Sequence, residues 1–188
     1  HLWWAYVAVG PIPWVALSAA EAVAWGLVGL GFSAWTRSGI WGRFVWSGPL
    51  AFAALWTAAE ALRSAWPFGG FPWGRLAFSA ADAPTLGYAW LAGAPLVSFV
   101  TALVGAMLGQ ALVDMRSRRP VRALAGPLAA VLLVLAPIAF PLDSRAENGV
   151  LRVAWVQGNL ANEGLDSFAR AREVTQNHAD ASLDLASK

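Results

Sequence analysis

Cysteine is absent from this 188-residue chain, which excludes disulfides, thiolate metal sites and a cysteine nucleophile within it. Charge is scarce too. Asp, Glu, Lys and Arg make up 13% of the residues and hydrophobic types 58%, whereas a soluble domain is about a quarter charged. So sparse a set of cations forms no basic stripe, and nucleic acid is not an expected partner. The two histidines, His1 and His178, are too far apart to suggest a metal site, and no cofactor is implied. The chain opens on His rather than Met, and no basic stretch precedes an apolar one. No signal peptide is therefore read, and the chain is expected to begin inside a longer protein.

What remains is apolar sequence in runs of about 20 residues, the length that crosses a hydrocarbon core. With 12 Trp available as interfacial anchors, the pattern reads as a polytopic α-helical membrane bundle. Four spans are expected, at residues 12–32, 44–66, 95–113 and 123–142. An aromatic interfacial segment, His1 to Gly10, leads into the first, and Pro11 and Pro13 suit its first turn. Glu21 lies near the middle of that span, and an acid at that depth normally faces the bundle interior and has a partner. Leu86 to Gly93 reads as a short interfacial helix. In the third span, Ala102, Gly105, Ala106 and Gly109 are small enough to let neighbouring helices approach.

The basic residues cluster in short loops. Met115–Arg122, MRSRRPVR, carries four Arg, and Thr36–Arg43 carries two. Arg-rich short loops mark the cytoplasmic side. Both fall on one side of a four-span topology, which places the loop after the second span and everything beyond Leu142 on the outer face.

The chain is organised around Trp56 to Trp73, WTAAEALRSAWPFGGFPW. Trp56, Glu60 and Arg63 are spaced to share one helix face, and Glu60 and Arg63 are spaced to pair as ions. Pro67 forbids further regular helix, Gly69-Gly70 free the backbone to turn, and Phe71-Pro72-Trp73 makes a rigid aromatic tip. An interfacial loop with an aromatic belt is the alternative reading of these residues.

Composition changes in a polar linker at 143–149, DSRAENG, where the domain boundary is placed. Val150–Val156 is short, apolar and β-branched, and reads as a buried, parallel strand. From about Ser167 a helical stripe follows: Phe168, Ala171, Val174, His178, Ala181 and Leu185. Asp166 or Ser167 can cap it, and His178 reads as a packed, hydrogen-bonded histidine. A lone strand and helix cannot bury a core, so residues 150–188 are expected to be the truncated start of an α/β domain.

Together these features resemble the apolipoprotein N-acyltransferase family. Trp56-x3-Glu60-x2-Arg63 followed by Gly70-Phe71-Pro72-Trp73 is similar to the family's membrane-domain signature. Leu151–Asn159, LRVAWVQGN, is similar to the first strand of the nitrilase-like α-β-β-α domain that follows the bundle. The resemblance covers essentially the whole chain; the first span matches only as generic membrane helix. Two departures concern 160–168: Ala161 stands where many members have Pro, and GLDSF shows no obvious counterpart of a Trp found further on in some members.

The resemblance implies a multi-pass enzyme of the bacterial inner membrane, a monomer with residues 143–188 on the periplasmic side. Such enzymes move a fatty acyl chain from a phospholipid donor to the N-terminal diacylglyceryl-Cys of an apolipoprotein acceptor. A Glu-Lys-Cys triad carries the chemistry: Cys takes the acyl group as a thioester, Glu acts as general base and Lys stabilises the oxyanion. None of the triad is expected here. Glu163 and Glu173 do not occupy the required place, and the sole Lys, Lys188, ends the chain. The 188 residues alone are therefore expected to be inactive, with no catalytic residue among them. Trp56, Glu60, Arg63, Phe71, Pro72 and Trp73 are the expected lipid-binding set. Arg63 is either a headgroup-phosphate ligand or half of a structural ion pair. The competing readings are a non-enzymatic transporter or lipid-binding module, best supported by Glu21, and a different membrane acyltransferase or glycosyltransferase.

Overall fold

The computed structural model describes residues 2–39, 44–67, 69–139, 149, 151, 153–158 and 170–186. The chain divides into two compact units, Glu21–Asp143 and a second formed by His1–Ala20 with Ser144–Lys188.

Helices dominate. Helix α1 spans Trp3–Val9, α2 Pro11–Arg37, α3 Ser47–Arg63, α4 Ala89–Arg116, α5 Pro120–Leu135 and α6 Ala171–Ala186. Among the described residues, three helical stretches are long and apolar enough to cross a membrane: Pro11–Arg37, Pro84–Arg116 and Pro120–Ala139. Within the span expected at 44–66, helix α3 covers 17 residues. At about 1.5 Å per residue it is roughly 26 Å long, short of the usual ~30 Å hydrocarbon core. Pro67 explains the early stop, because it disfavours helical backbone at Trp66 and offers no N–H of its own.

Helix α4 is broken near its start. Ala92 and Gly93 leave helical geometry, Gly93 at φ +65°, just before Pro95, from which the third span was expected to begin. The segment expected as an interfacial helix, Leu86 to Gly93, is divided between a 3₁₀ turn over Pro84–Tyr88 and the first residues of α4.

In the unit Glu21–Asp143, α4 is the central element, packed between α3 and α5. The core is built from small and flexible side chains: Ala53 from α3, Ala102, Leu103 and Met107 from α4, and Ala130 from α5. Helices α4 and α5 approach closely at Gly126, where an added Cβ would stand 3.1 Å from the Met107 carbonyl oxygen. Gly105 and Gly109, expected to admit a neighbouring helix, face open space. Of the four small residues expected to admit a neighbour, Ala102 is buried; so is Ala111, whose Cβ would lie 3.6 Å from a Cβ added at Gly126. Helix α2 meets α3 through large side chains: Trp25 stacks on Trp56 at 4.2 Å and Phe32 lies edge-on to Phe52 at 5.4 Å. The 3₁₀ turns pack Ala77 and Ala80 against Val97. The Ala77 N–H donates to the fully buried Ser98 hydroxyl (3.0 Å), and the Tyr88 hydroxyl donates to the Leu133 carbonyl (2.8 Å).

In the other unit, Trp3 stacks on Tyr6 and both meet Trp14 edge-on. Of the strand expected over Val150–Val156, the described residues, 151 and 153–156, form none. Residues 153–158 have no regular secondary structure and no strand occurs among the described residues. Val153 and Trp155 are more than four-fifths exposed, since a buried strand needs neighbouring strands on which to pair. Val150, Arg152, the linker 143–148 and the cap candidates Asp166 and Ser167 lie outside the described residues, as do Phe168 and Lys188. Helix α6 buries none of its residues. His178 is hydrogen-bonded but exposed, not packed: its Nε2 accepts from the Gly158 N–H (3.0 Å). Its Nδ1 therefore carries the proton and donates to the Val174 carbonyl (2.8 Å).

Candidate functional site

The site forms where α3 ends. Trp56, Glu60 and Arg63 fall on one face because they are four and three residues apart, and that face is turned inward: Glu60 is 2% and Arg63 7% exposed. At that burial each needs hydrogen-bond partners inside the fold.

The expected Glu60–Arg63 pair is not made. Each residue instead reaches a different part of the fold. Glu60 Oε1 accepts from the Trp56 indole N–H (3.0 Å) and from the Leu76 backbone N–H (2.7 Å). Arg63 Nη1 donates to Glu21 Oε2 on α2 at 2.9 Å. The same nitrogen faces the carbonyl oxygens of Phe71 (3.0 Å) and Trp73 (2.7 Å). Adjacent charges on one helix turn are thereby separated to staple different segments: Glu60 holds the chain after the loop, and Arg63 holds the loop itself and α2. Low dielectric strengthens both contacts.

The turn between them is built for this. The Phe71 N–H returns to the Arg63 carbonyl (2.7 Å) and the Gly70 N–H to the Pro67 carbonyl (2.7 Å). Gly70 sits at φ +82°, and a Cβ there would collide with the Ser64 carbonyl group, so no other residue suits both its conformation and its space. Ser64 extends the network, donating to the Glu60 carbonyl (2.6 Å) and accepting from Arg75 Nε (3.3 Å).

Thus Trp56, Glu60 and Arg63 converge with the backbone carbonyls of Phe71 and Trp73. Pro72 is exposed at the tip, and the Trp73 side chain is 64% exposed. Trp66, Phe78 and Trp90 are exposed as well, as aromatic rings at a membrane interface are. Sequence reasoning missed Trp25, whose ring lies 5.8 Å from the Arg63 guanidinium carbon and stacks on Trp56. The available signal was its spacing four residues after Glu21, on the same face of α2. Nε and Nη2 of Arg63 are buried and find no hydrogen-bond partner among the described residues. They form the forked donor edge that matches a phosphate or carboxylate. No group of His, Asp and Glu able to hold a metal occurs among the described residues.

A family model described as the apolipoprotein N-acyltransferase N-terminal domain matches residues 1–107. The chain belongs to the apolipoprotein N-acyltransferase family. Curated relatives agree. The apolipoprotein N-acyltransferase of Mycolicibacterium smegmatis is 37% identical across 97% of this chain and 32% of its own length. That of Azotobacter vinelandii is 40% identical across 59% of this chain and 21% of its own. The Pseudomonas putida protein is 33% identical across 86% and 33%. The chain thus spans a third or less of the curated relatives it matches. No solved structure matches it. As a member of this acyltransferase family with three membrane-length apolar helices, it is a multi-pass membrane protein.

Proposed function

We propose that this chain is the lipid-facing membrane portion of an apolipoprotein N-acyltransferase, a bacterial inner-membrane enzyme. Such an enzyme passes a fatty acyl group from a phospholipid to the N-terminal diacylglyceryl-Cys of a lipoprotein. The observation that carries the reading is the Arg63 staple. A buried guanidinium holds the carbonyls of Phe71 and Trp73, and so presents an aromatic tip beside an anion-ready donor edge. Trp56, Phe71, Pro72 and Trp73 would shape the mouth through which lipid tails enter, and Arg63 Nε and Nη2 would receive a headgroup phosphate. In the orientation set by the Arg-rich loops, the Phe71–Trp73 loop and residues 143–188 face the periplasm, and the latter begin the nitrilase-like domain.

The acyl-thioester step needs a thiolate, and the 188 residues contain no Cys. The chain by itself is therefore inactive, and its contribution is lipid admission. A transport role loses its main support, since Glu21 is taken up by Arg63. The test is a chimera in which this chain replaces the matching region of a complete relative. Acyl transfer from labelled phospholipid to a lipopeptide is expected. Arg63→Lys should then raise KM for phospholipid with the thermal midpoint little changed. A folded, membrane-inserted chimera without acyl transfer would overturn the reading, as would acyl transfer by the unfused 188 residues.

A further inference from the structure

At the opposite end of α3, a cavity of about 50 Å³ opens among Ser47, Gln110, Asp114, Arg119 and Arg122. Its charges are arranged against the local helix dipoles. Arg119 is the N-cap of α5 and Arg122 stands in that helix's first turn, where a cation is unfavourable. The start of α3 borders the same cavity with no capping side chain and no acid in its first turn. Asp114 lies in the last turn of α4, where an anion is unfavourable. Its side chain is buried, the residue being 5% exposed. Among the described residues the carboxyl group makes no ion pair or hydrogen bond, although both arginines line the same space. An acid and two cations kept apart across a polar cavity are complementary to a ligand carrying the opposite charges at the same separation.

We propose that this cavity binds the headgroup of a zwitterionic aminoalkyl-phosphate lipid. The ammonium enters to Asp114 and Gln110, and the phosphate sits among Arg119, Arg122 and the open N-termini of α3 and α5. The volume holds on the order of three or four water-sized groups, enough for an aminomethyl end but not a whole headgroup, so the phosphate lies at the mouth. A primary ammonium supplies three hydrogen-bond donors to the acid and amide. A quaternary ammonium supplies none, and a glycerol headgroup supplies no cation. The order of preference is therefore ethanolamine first, with choline and glycerol headgroups well behind. The site lies at the far end of α3 from Arg63, roughly 26 Å away along the helix axis. In the proposed orientation this is the cytoplasmic leaflet. The inference rests on the membrane reading of the chain but not on acyl transfer.

The full chain in nanodiscs of mixed phosphatidylethanolamine, phosphatidylcholine and phosphatidylglycerol is the test, with retained lipids counted by native mass spectrometry. Ethanolamine lipid is expected to be enriched on the order of tenfold, the scale of one charge-assisted contact. Asp114→Asn should abolish its preference over the glycerol headgroup without lowering the thermal midpoint, because it removes a buried charge that pairs with none of the described residues. Arg119→Gln with Arg122→Gln should weaken retention of all three. Equal retention by the unmodified chain overturns the proposal, as does an Asp114→Asn variant with unchanged preference. If free phosphoethanolamine binds while no lipid is retained, the ligand is a soluble aminoalkyl phosphate and the lipid assignment fails. A chain extracted from membranes by alkaline carbonate would refute the membrane reading itself, which is separable from a loss of headgroup preference.

Discussion

Replacing Glu21 by Gln isolates the electrostatic half of the Arg63 staple. The amide keeps an oxygen able to accept from Nη1 but removes the negative charge facing a guanidinium that is 7% exposed. Removing one partner of a buried ion pair costs about 3–5 kcal/mol. Three features reduce that here. The Glu21 side chain retains 15% exposure. The Phe71 and Trp73 carbonyls remain as acceptors. The Trp25 face still lies against the cation, and such a contact is worth about 0.5–2 kcal/mol. The expected loss is then about 2–3 kcal/mol, a midpoint shift of roughly 4–12 °C by the scaling for chains of this size. Thermal unfolding in one detergent measures it. Hydrogen exchange locates it: the amides of Gly70 and Phe71, bonded to Pro67 and Arg63, should lose protection before those of α4. An apolar double replacement, Glu21→Leu with Arg63→Met, should be less damaging than either single change, because it leaves no orphaned charge. A Glu21→Gln protein with an unchanged midpoint and unchanged exchange at Phe71 would refute the staple.

Glu60→Ala would orphan the Trp56 indole and Leu76 amide donors and should cost roughly 2–4 kcal/mol, whereas Glu60→Gln, which keeps an acceptor, should cost less than half of that in the same unfolding assay. Gly70→Ala meets the Ser64 carbonyl group and a left-handed backbone, so it should displace the aromatic tip; proteolysis in the loop should rise while α4 and α5 stay intact. Gly126→Val pushes a branched side chain against the Met107 carbonyl and should destabilise by about 1–3 kcal/mol, with Gly105→Val, facing open space, as the near-neutral control in the same melt.

Much of the bundle was legible because the lipid environment acts on composition. Runs of apolar residue, prolines at helix starts and arginines in loops are local signals, and they identify α2, α4 and α5. The family signature was legible for the same reason: Trp56, Glu60, Arg63 and the Phe71–Trp73 tip sit within one turn-and-helix segment. Where reasoning from spacing failed, the cause was a partner distant in sequence. Glu60 and Arg63 are three apart and so were matched to each other, yet Arg63 finds Glu21 on another helix, and Glu60 finds the Leu76 amide beyond the loop. The Gly105–Gly109 pattern predicted an approach that Gly126 makes instead, because which face of α4 is covered depends on how α3 and α5 flank it. The apolar run at Val150–Val156 carries the composition of a strand, yet its described residues form none, because strand pairing depends on partners distant in sequence.

Membrane-length helices, the end of α3 before Pro67 and the family to which the signature points are all written in the order of residues. Each follows from hydrophobicity or backbone stereochemistry, which need no distant partner. What the buried charges do is set by packing in three dimensions. Glu21 and Arg63 lie 42 residues apart, and Asp114 stands across a cavity from Arg119 and Arg122 without pairing. A buried charge is satisfied by whatever packing brings within about 3 Å, and that distance is a property of the folded bundle, not of spacing along the chain.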